Sequence, residues 1–332
     1  MSSQTLERFT STPLSQAESW ANLSSEDLRR LSATAVRDRD VEQLWGLTKA
    51  YLFLHGAKGA RASHHTLRAY RRGVLDLLEA WQHENLLRPS RDAGVLYIRS
   101  LEATPLALSG KPAEPATLQV KLAAARAFYK ALRWAGVTNA KPFENVSVAK
   151  DPTPAWEKRK PYSQREVERR LELAEPALCV MVLLGAHAGL RIGEMTELCW
   201  EDVDWNNQLI LVRSGKGGKA GRVRMSGRLQ ASLRELRSLP DKRYGKRRVR
   251  SFVLPWGQGH ARKRFRELCA QAGIAYEVKG VHGLRHGAGS RYYAQVKDLG
   301  RVAAHLRHSD IQTTRIYAKI DEMAIGEDID DW

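Results

Sequence analysis

The chain has 332 residues, 43% of them hydrophobic, which is enough for two ordinary domains with buried cores and argues against disorder throughout. Its 54 Lys and Arg residues outnumber its 37 Asp and Glu residues and give a formal net charge of +17, so we expect a polyanionic partner, nucleic acid before anionic lipid. The three cysteines are spaced too widely for a disulfide framework or a zinc knuckle, and no apolar stretch has the length of a secretion signal or a membrane span. We therefore expect a cytoplasmic protein that does not span a membrane.

The first half of the chain has the periodicity of amphipathic helices. In residues 63–82 and 114–137, apolar residues recur at spacings of three and four, and basic residues fall between them. Two more helices are expected within residues 24–54 and 92–103. The pattern predicts a helical bundle with basic flanks.

The second half mixes helices with short strands. Residues 175–198 predict an apolar helix, a corner marked by glycine and a second helix that begins near Ile192. Two β-prone runs at residues 209–212 and 222–225 flank a glycine-rich connection, which predicts a hairpin. The "GKGGK" string of this connection lacks the upstream glycine, the Ser or Thr and the following helix of a phosphate-binding P-loop.

A metal site is not predicted from the histidines near the end of the chain. His282 and His286 are four residues apart and could face one ion. Gly283, however, occupies the position that a zinc protease gives to glutamate, and no third ligand has a characteristic spacing.

Six residues in the order Arg, Lys, His-x-x-Arg, His and Tyr form a pattern that is more specific than any member alone. Singly, an arginine at a helix end, a lysine in a turn or a tyrosine in a helix is an ordinary structural residue. Together, "AGLRIGEMTELCWEDVD", "SGKGGKAGRV", "HGLRH" and "LRHSDIQTTRIY" resemble motifs of the tyrosine recombinases, the phage-integrase and Xer-type family. Residues 66–81 and 117–137 are similar to the helical core-binding domain of that family.

The resemblance implies a role for each matching residue. The six catalytic positions are occupied by Arg191, Lys216, His282, Arg285, His308 and Tyr317. Glu194 and Asp202 fall on acidic positions that support them. Two positions depart from the family pattern, because Arg307 stands where glycine usually precedes the histidine and Gly287 stands where serine or threonine often follows "LRH".

These residue types suit attack on a DNA phosphodiester. Arg191 and Arg285 would clamp the phosphoryl group, and His308 would donate a further hydrogen bond to its oxygens. The reference pKa of tyrosine is about 10, so the phenol needs cationic neighbours or a base, for which His282 is the candidate. Lys216 would protonate the leaving 5′-oxygen. Cleavage and rejoining through a covalent 3′-phosphotyrosyl bond then require neither metal nor ATP nor another cofactor.

The resemblance also implies a mainly α fold, a two-domain clamp around double-stranded DNA. We expect an N-terminal extension over residues 1–40, a helical core-binding domain over 41–145 and a proline-containing linker over 146–161. A mostly helical catalytic domain with a small antiparallel sheet would cover residues 162–317, and an acidic tail over 318–332 is a candidate for exchange between protomers.

The predicted function is site-specific DNA recombination by a tetramer, or dimer of dimers, on two DNA sites, with a second recombinase or an accessory protein as a further candidate partner. Basic side chains expected to contact DNA are Arg68, Arg71, Arg72, Lys121, Arg126, Lys130, Lys219 and Arg222. Two alternatives stay open: a DNA-relaxing enzyme similar to a type IB topoisomerase, and a basic DNA-binding protein without catalysis.

Overall fold

The computed structural model describes residues 13–105, 110, 112–158, 160–213, 220–239, 252–277, 279–308 and 310–318. The chain divides between Pro152 and Thr153 into two units, each with its own hydrophobic core. This division lies inside the stretch expected to be a linker. None of the helices in the described ranges is long and apolar enough to cross a membrane.

The described part of the first unit is helical. Its helices are α1 (Pro13–Ala21), α2 (Ser25–Arg37), α3 (Val41–His55), α4 (His64–Ala80), α5 (Ala93–Ala103) and α6 (Pro115–Trp134). Side chains before three of them accept backbone N–H groups that the first turn leaves without a partner, and these N-caps are Ser24, Asp40 and Ser63. The predicted helices are confirmed, and the stretch 24–54 contains two of them.

The core of this unit lies between α4 and α6 and continues into an aromatic cluster. A Cβ atom at Gly73 would lie 2.7 Å from the Cβ atom of Ala124, so glycine allows the two helices to approach closely. The rings of Trp81 and Phe143 stack with centroids 5.4 Å apart. Residues 25–37, which lie within the expected extension 1–40, contribute Leu28 and other buried side chains to the same core.

The second unit combines helices with a three-stranded sheet. Its helices are α7 (Gln164–Leu173), α8 (Pro176–Ala186), α9 (Ile192–Glu197), α10 (Gly227–Ser238), α11 (Gln258–Gln271), α12 (His282–Val296) and α13 (Leu299–Leu306), after a single turn at Ala155–Lys158. The strands β1 (Val203–Asp204), β2 (Leu209–Val212) and β3 (Gly221–Arg224) pair antiparallel in that order. The predicted mainly α fold with a small antiparallel sheet is confirmed. Strand β3 begins one residue earlier than expected, and the sequence did not predict the two-residue strand β1.

Helix α8 is the centre of the second unit. Nine of its eleven residues are buried, because its surface is apolar on every side. It packs against α7, α10 and α12. A Cβ atom at Gly185 would lie 2.8 Å from the Cβ atom of Leu284, so glycine brings the first turns of α12 close to α8. This packing fixes the helix that carries "HGLRH".

Candidate active site

Arg285 lies in the first turns of α12 and is only 1% exposed. Its two terminal nitrogens donate to the backbone carbonyl oxygens of Gly189 and Leu306. Gly189 has a φ of +60°, and a Cβ atom there would lie 2.5 Å from Leu306, so this corner requires glycine. Arg285 thereby joins the corner before α9 to the end of α13.

Glu194 holds two further arginines side by side. Its side chain is 4% exposed, and its Oε1 accepts a hydrogen bond of 2.8 Å from Nη1 of Arg191. Its Oε2 accepts from the backbone N–H of Arg191 at 2.8 Å and from Nη2 of Arg307 at 2.6 Å. Burial is the largest influence on Glu194 and opposes ionisation, but the Arg191 backbone and the charge of Arg307 outweigh it and lower the pKa of the carboxyl. Glu194 is therefore a buried anion.

Glu194 pairs with Arg191 and Arg307, and its charge also acts on Arg285. Burial first, and then the charge of Arg191, lower the pKa of Arg285 to about 9, although Glu194 and Tyr317 act in the opposite direction. Arg285 remains a cation at pH 7, and the cluster carries excess positive charge. Planar guanidiniums match the oxygens of a phosphate, so the arrangement is suited to bind an oxyanion.

Tyr317 lies in the same unit, in the helical residues 315–318, and is 2% exposed. Its ring packs on α12 at Gly289, where a Cβ atom would lie 2.3 Å from Cζ of the tyrosine. Its hydroxyl lies 3.4 Å from Nδ1 of His286. The fold thus buries the phenol beside a histidine that can exchange a proton with it.

His308 is oriented by its neighbour in the chain. A hydrogen bond of 2.8 Å joins its Nδ1 to Oγ1 of Thr314, which is fully buried. Its ring is parallel to that of Tyr317, at 10°, with 6.4 Å between the centroids. The predicted pair of His308 and Tyr317 is therefore brought together.

His286 is the site residue that the sequence did not predict in this role. It was considered only as a metal ligand with His282, whose exposed ring meets it edge-on with centroids 4.6 Å apart. Within the described ranges, no group of three or more His, Cys, Asp or Glu residues could hold a metal ion. The spacing of four residues was the available signal, because it places both rings on one face of α12.

Asp202 supports the strand that leads to the glycine-rich connection. Its Oδ2 accepts from the backbone N–H of Cys199 at 3.0 Å, and its Oδ1 accepts from Nε of Arg213 at 2.5 Å. Arg213 directly follows β2. Lys216 and Lys219 lie outside the described residues.

The basic residues predicted to contact DNA differ in their surroundings. Arg68 and Lys130 are exposed in the first unit, and Arg222 is exposed on β3. Arg71 forms an ion pair with Glu42. Their contacts with DNA remain a prediction.

Three other members of that set are engaged within the first unit. Asp76 accepts from Arg72 at 2.8 Å and from Lys121 at 2.7 Å. Arg126 donates through Nε to the carbonyl of Phe143 at 2.9 Å and through Nη2 to that of Val146 at 2.6 Å. Arg126 thus connects α6 to the chain that follows it.

Both departures from the family pattern have a structural context. A Cβ atom at Gly287 would lie 2.8 Å from the carbonyl oxygen of Tyr162, so α12 has no room for a side chain there. Arg307 has a φ of +54°, in the left-handed region that favours glycine.

Comparison with known proteins matches both units to one family. The family described as "Phage integrase family" matches residues 163–323, and "Phage integrase, N-terminal SAM-like domain" matches residues 51–136. The tyrosine recombinase XerC of Xanthomonas axonopodis pv. citri (strain 306) is 30% identical over 287 residues, which cover 79% of this chain and 88% of that one.

Solved structures share the fold. XerH site-specific recombinase bound to a palindromic difH substrate, in a post-cleavage complex, superposes with a TM-score of 0.63 at 19% identity and covers 87% of this chain and 84% of its own. A lambda integrase tetramer bound to a Holliday junction gives a TM-score of 0.63 at 13% identity, covering 86% and 76%. With the family matches and the XerC relative, the comparisons show that the chain belongs to the tyrosine recombinases of the phage integrase family.

Proposed function

We propose that the protein recombines double-stranded DNA at a specific site, with Tyr317 as the nucleophile that becomes linked to a 3′-phosphate. The observation that carries this proposal is the cluster of Arg191, Arg285 and Arg307 around one buried carboxylate, in the unit that also holds Tyr317 and His308. The cluster offers cationic donors for a phosphodiester, and the tyrosine offers an oxygen that can attack it. Nothing in the family matches favours the two alternatives, a DNA-relaxing enzyme or a non-catalytic DNA-binding protein.

The reaction balances without an external energy source. A bond forms between the hydroxyl oxygen of Tyr317 and phosphorus, and the bond from phosphorus to the 5′-oxygen breaks. The phenolic proton passes to the pair of His286 and His282, and the 5′-oxygen takes a proton from Lys216. Attack by a 5′-hydroxyl on the phosphotyrosine reverses these steps and rejoins a strand.

The cationic side chains stabilise the transition state. Negative charge grows on the non-bridging oxygens as the tyrosine attacks, and we assign Arg191, Arg285 and His308 as the donors to these oxygens. Because these groups supply the positive charge, cleavage needs no metal ion, and we expect it to survive an excess of EDTA. The ring of Tyr317 is 2% exposed, so the helical residues 315–318 must shift for its oxygen to reach a phosphate.

We propose that both units contact the duplex and that four copies act on two DNA sites. The lambda integrase tetramer on a Holliday junction, which shares the fold, supports this assembly. The exposed Arg68, Lys130 and Arg222 would contact phosphates. The acidic tail over residues 318–332, which lies outside the described residues from 319 on, would dock on a neighbouring copy.

The experiment that tests the proposal replaces the nucleophile. The DNA site is first found as the sequence that the protein protects from nuclease digestion in the DNA flanking its gene. A duplex of that sequence with a nick beside the scissile phosphate then traps the cleaved state. The short fragment that carries the 5′-hydroxyl diffuses away, so it cannot attack the phosphotyrosine. We expect the parent protein to give an SDS-resistant band and Tyr317→Phe to give none while it binds the duplex with nearly parental affinity.

Tyr293→Phe is the matched control, because Tyr293 packs on the same apolar cluster as Tyr317 and has no proposed role in the reaction. It should give the band at the parental level. An SDS-resistant band from Tyr317→Phe would show that another residue is the nucleophile.

A second substrate assigns the general acid. A 5′-bridging phosphorothiolate has a sulfur leaving group that departs without a proton. We expect this substrate to restore cleavage by Lys216→Ala. Restoration for Lys219→Ala instead would reverse the assignment.

A further inference from the structure

Arg307 occupies a backbone position that does not favour a side chain. It ends α13 as its C-cap residue with φ +54° and ψ +47°, which is the left-handed conformation. Glycine adopts this conformation most easily, because it has no Cβ atom to approach the following carbonyl oxygen. An arginine here must gain something from its side chain that offsets the unfavourable backbone.

The side chain of Arg307 is directed into the arginine cluster. It is 12% exposed, and its Nη2 donates to Oε2 of Glu194 at 2.6 Å. Its aliphatic stem lies against β3, where a Cβ atom at Gly221 would lie 2.7 Å from Cδ of Arg307. Two local features thus accommodate this residue: a glycine opposite its stem and a carboxylate opposite its end.

Two of the three nitrogens of this guanidinium have no acceptor among the described residues. Nε and Nη1 are buried, and no described residue accepts a hydrogen bond from either. Burying a charged donor without a partner is unfavourable. Burial accordingly lowers the pKa of Arg307, and the charge of Glu194 opposes this effect. An acceptor oxygen for either nitrogen would have to come from outside the described residues.

The position of Arg307 points to the kind of acceptor. Glu194 is shared by Arg307 and Arg191, and the charge of Arg307 also acts on Arg285. With glycine at residue 307, Glu194 and Arg191 would form a neutral pair. With arginine, the three groups carry a net positive charge beside Arg285. An anionic oxygen would therefore meet two donors that no described residue occupies, together with an unbalanced positive charge.

We propose that Arg307 is an additional catalytic residue of this chain, a third guanidinium that donates to a non-bridging oxygen of the scissile phosphate. The inference rests on the proposed phosphotyrosyl chemistry and deepens it. The contacts allow one other role. As a positioning residue, Arg307 would only orient Glu194, which in turn orients Arg191. A residue that acts only through Arg191 has no further effect once the Arg191 side chain is removed, whereas a direct donor keeps an effect of its own.

The test compares a phosphate with an uncharged analogue. One nicked duplex carries the ordinary scissile phosphate, and a second carries a methylphosphonate, in which a methyl group replaces one non-bridging oxygen. Adduct formation is measured in single turnover for the parent, Arg307→Gly, Arg307→Lys, Arg191→Ala and the double variant Arg191→Ala/Arg307→Gly. A direct donor predicts that the double variant cleaves the phosphate more slowly than Arg191→Ala. Arg301→Ala is the matched control, because Arg301 lies on α13 with a side chain 70% exposed.

We expect Arg307→Gly to slow cleavage of the phosphate on the order of 10²-fold, as for the loss of one transition-state donor, and the difference from the parent largely to disappear on the methylphosphonate. Arg307→Lys keeps the charge but loses the planar fork, so it should be intermediate on the phosphate. Arg301→Ala should cleave both duplexes at parental rates.

Three results would overturn the inference. Parental cleavage of the phosphate by Arg307→Gly would show that the residue has no part in the reaction. Equal losses on both duplexes would show that Arg307 does not act on the charge of the phosphate. Equal cleavage by Arg191→Ala and Arg191→Ala/Arg307→Gly would show that Arg307 acts only through Arg191. Should Arg307→Gly fail to fold, as judged by thermal unfolding, the same comparison with a folded Arg307→Lys decides. Failure of the underlying chemistry is distinguishable, because the parent itself would then form no adduct at Tyr317.

Discussion

The exposed basic side chains of the first unit and the arginines around Glu194 differ in their exposure to solvent. In the first unit, Arg68 and Lys130 are exposed to solvent. In the second unit, Arg285 is 1% exposed and its pKa is lowered by burial first and then by Arg191. Exposed cations attract DNA over a long range, and salt screens this attraction. Buried cations act at short range on a single atom. We therefore expect the net charge of +17 to serve two separable functions, affinity for DNA and stabilisation of the reaction.

The largest effect on the rate of cleavage is expected at the buried Arg285. Arg285→Ala should slow adduct formation on the order of 10²–10³-fold, because a donor to the transition state is lost. Single-turnover cleavage of the nicked duplex measures it, and Arg285→Lys tests whether charge alone suffices. Since Arg285 also donates to the carbonyls of Gly189 and Leu306, thermal unfolding must be recorded for each variant. Cleavage at the parental rate by a folded Arg285→Ala would contradict the account.

Glu194 gives a smaller effect that depends on pH. Its folded-state pKa is lowered, with burial opposing and the Arg191 backbone and Arg307 favouring the anion. Its contribution to stability is therefore fully present above its unfolded value of about 4.3 and is lost as the pH falls through the folded value. We expect Glu194→Gln to be less stable than the parent by about 1–3 kcal/mol at pH 7.

Urea unfolding at pH 7 and at lower pH measures this difference. The gap between parent and Glu194→Gln should shrink as the pH falls below about 4.3. A gap that stays constant down to pH 3 would show that the carboxyl is not the source of the stabilisation.

Arg126 should behave as a structural residue, although its sequence position suggests a DNA contact. Its guanidinium donates to carbonyls of Phe143 and Val146, so Arg126→Ala should lower the free energy of unfolding by about 1–3 kcal/mol. The slope of log binding constant against log salt should stay unchanged, because no phosphate contact is removed. A reduced slope with unchanged stability would reverse this assignment.

The smallest effects are expected at the exposed residues. Arg68→Ala and Lys130→Ala should each weaken DNA binding and reduce the salt slope by about 1 if the residue contacts a phosphate. Cleavage at saturating DNA should stay at the parental rate. Binding titrations over a range of salt concentrations measure the slope. A variant that keeps the parental slope would show that the replaced residue does not contact a phosphate.

Local patterns in the sequence predicted much of the fold and part of the site. Spacings of three and four residues predicted the helices of the first unit, and the two β-prone runs predicted the hairpin, because these signals act over a few residues. The motif order predicted Arg191, Arg285, His308 and Tyr317, and the second unit holds all four. Their catalytic roles and the limits of the domains remain predictions.

Such patterns could not predict contacts between residues that are far apart in the chain. Arg307 and Glu194 are 113 residues apart in the chain, and their ion pair depends on how α9 and α13 pack. The proximity of His286 to Tyr317 likewise depends on the packing of residues 315–318 against α12. Neither hydrophobic periodicity nor motif spacing contains this information, since both describe only neighbours along the chain.

Identification of the residue that becomes attached to DNA is the most direct test of the account. The adduct trapped on the nicked duplex is digested with trypsin and nuclease, and the peptide that carries the remaining nucleotide is sequenced by mass spectrometry. The account predicts a single modified residue, Tyr317, joined to a 3′-phosphate. Attachment at any other residue, or through a 5′-phosphate, would contradict it.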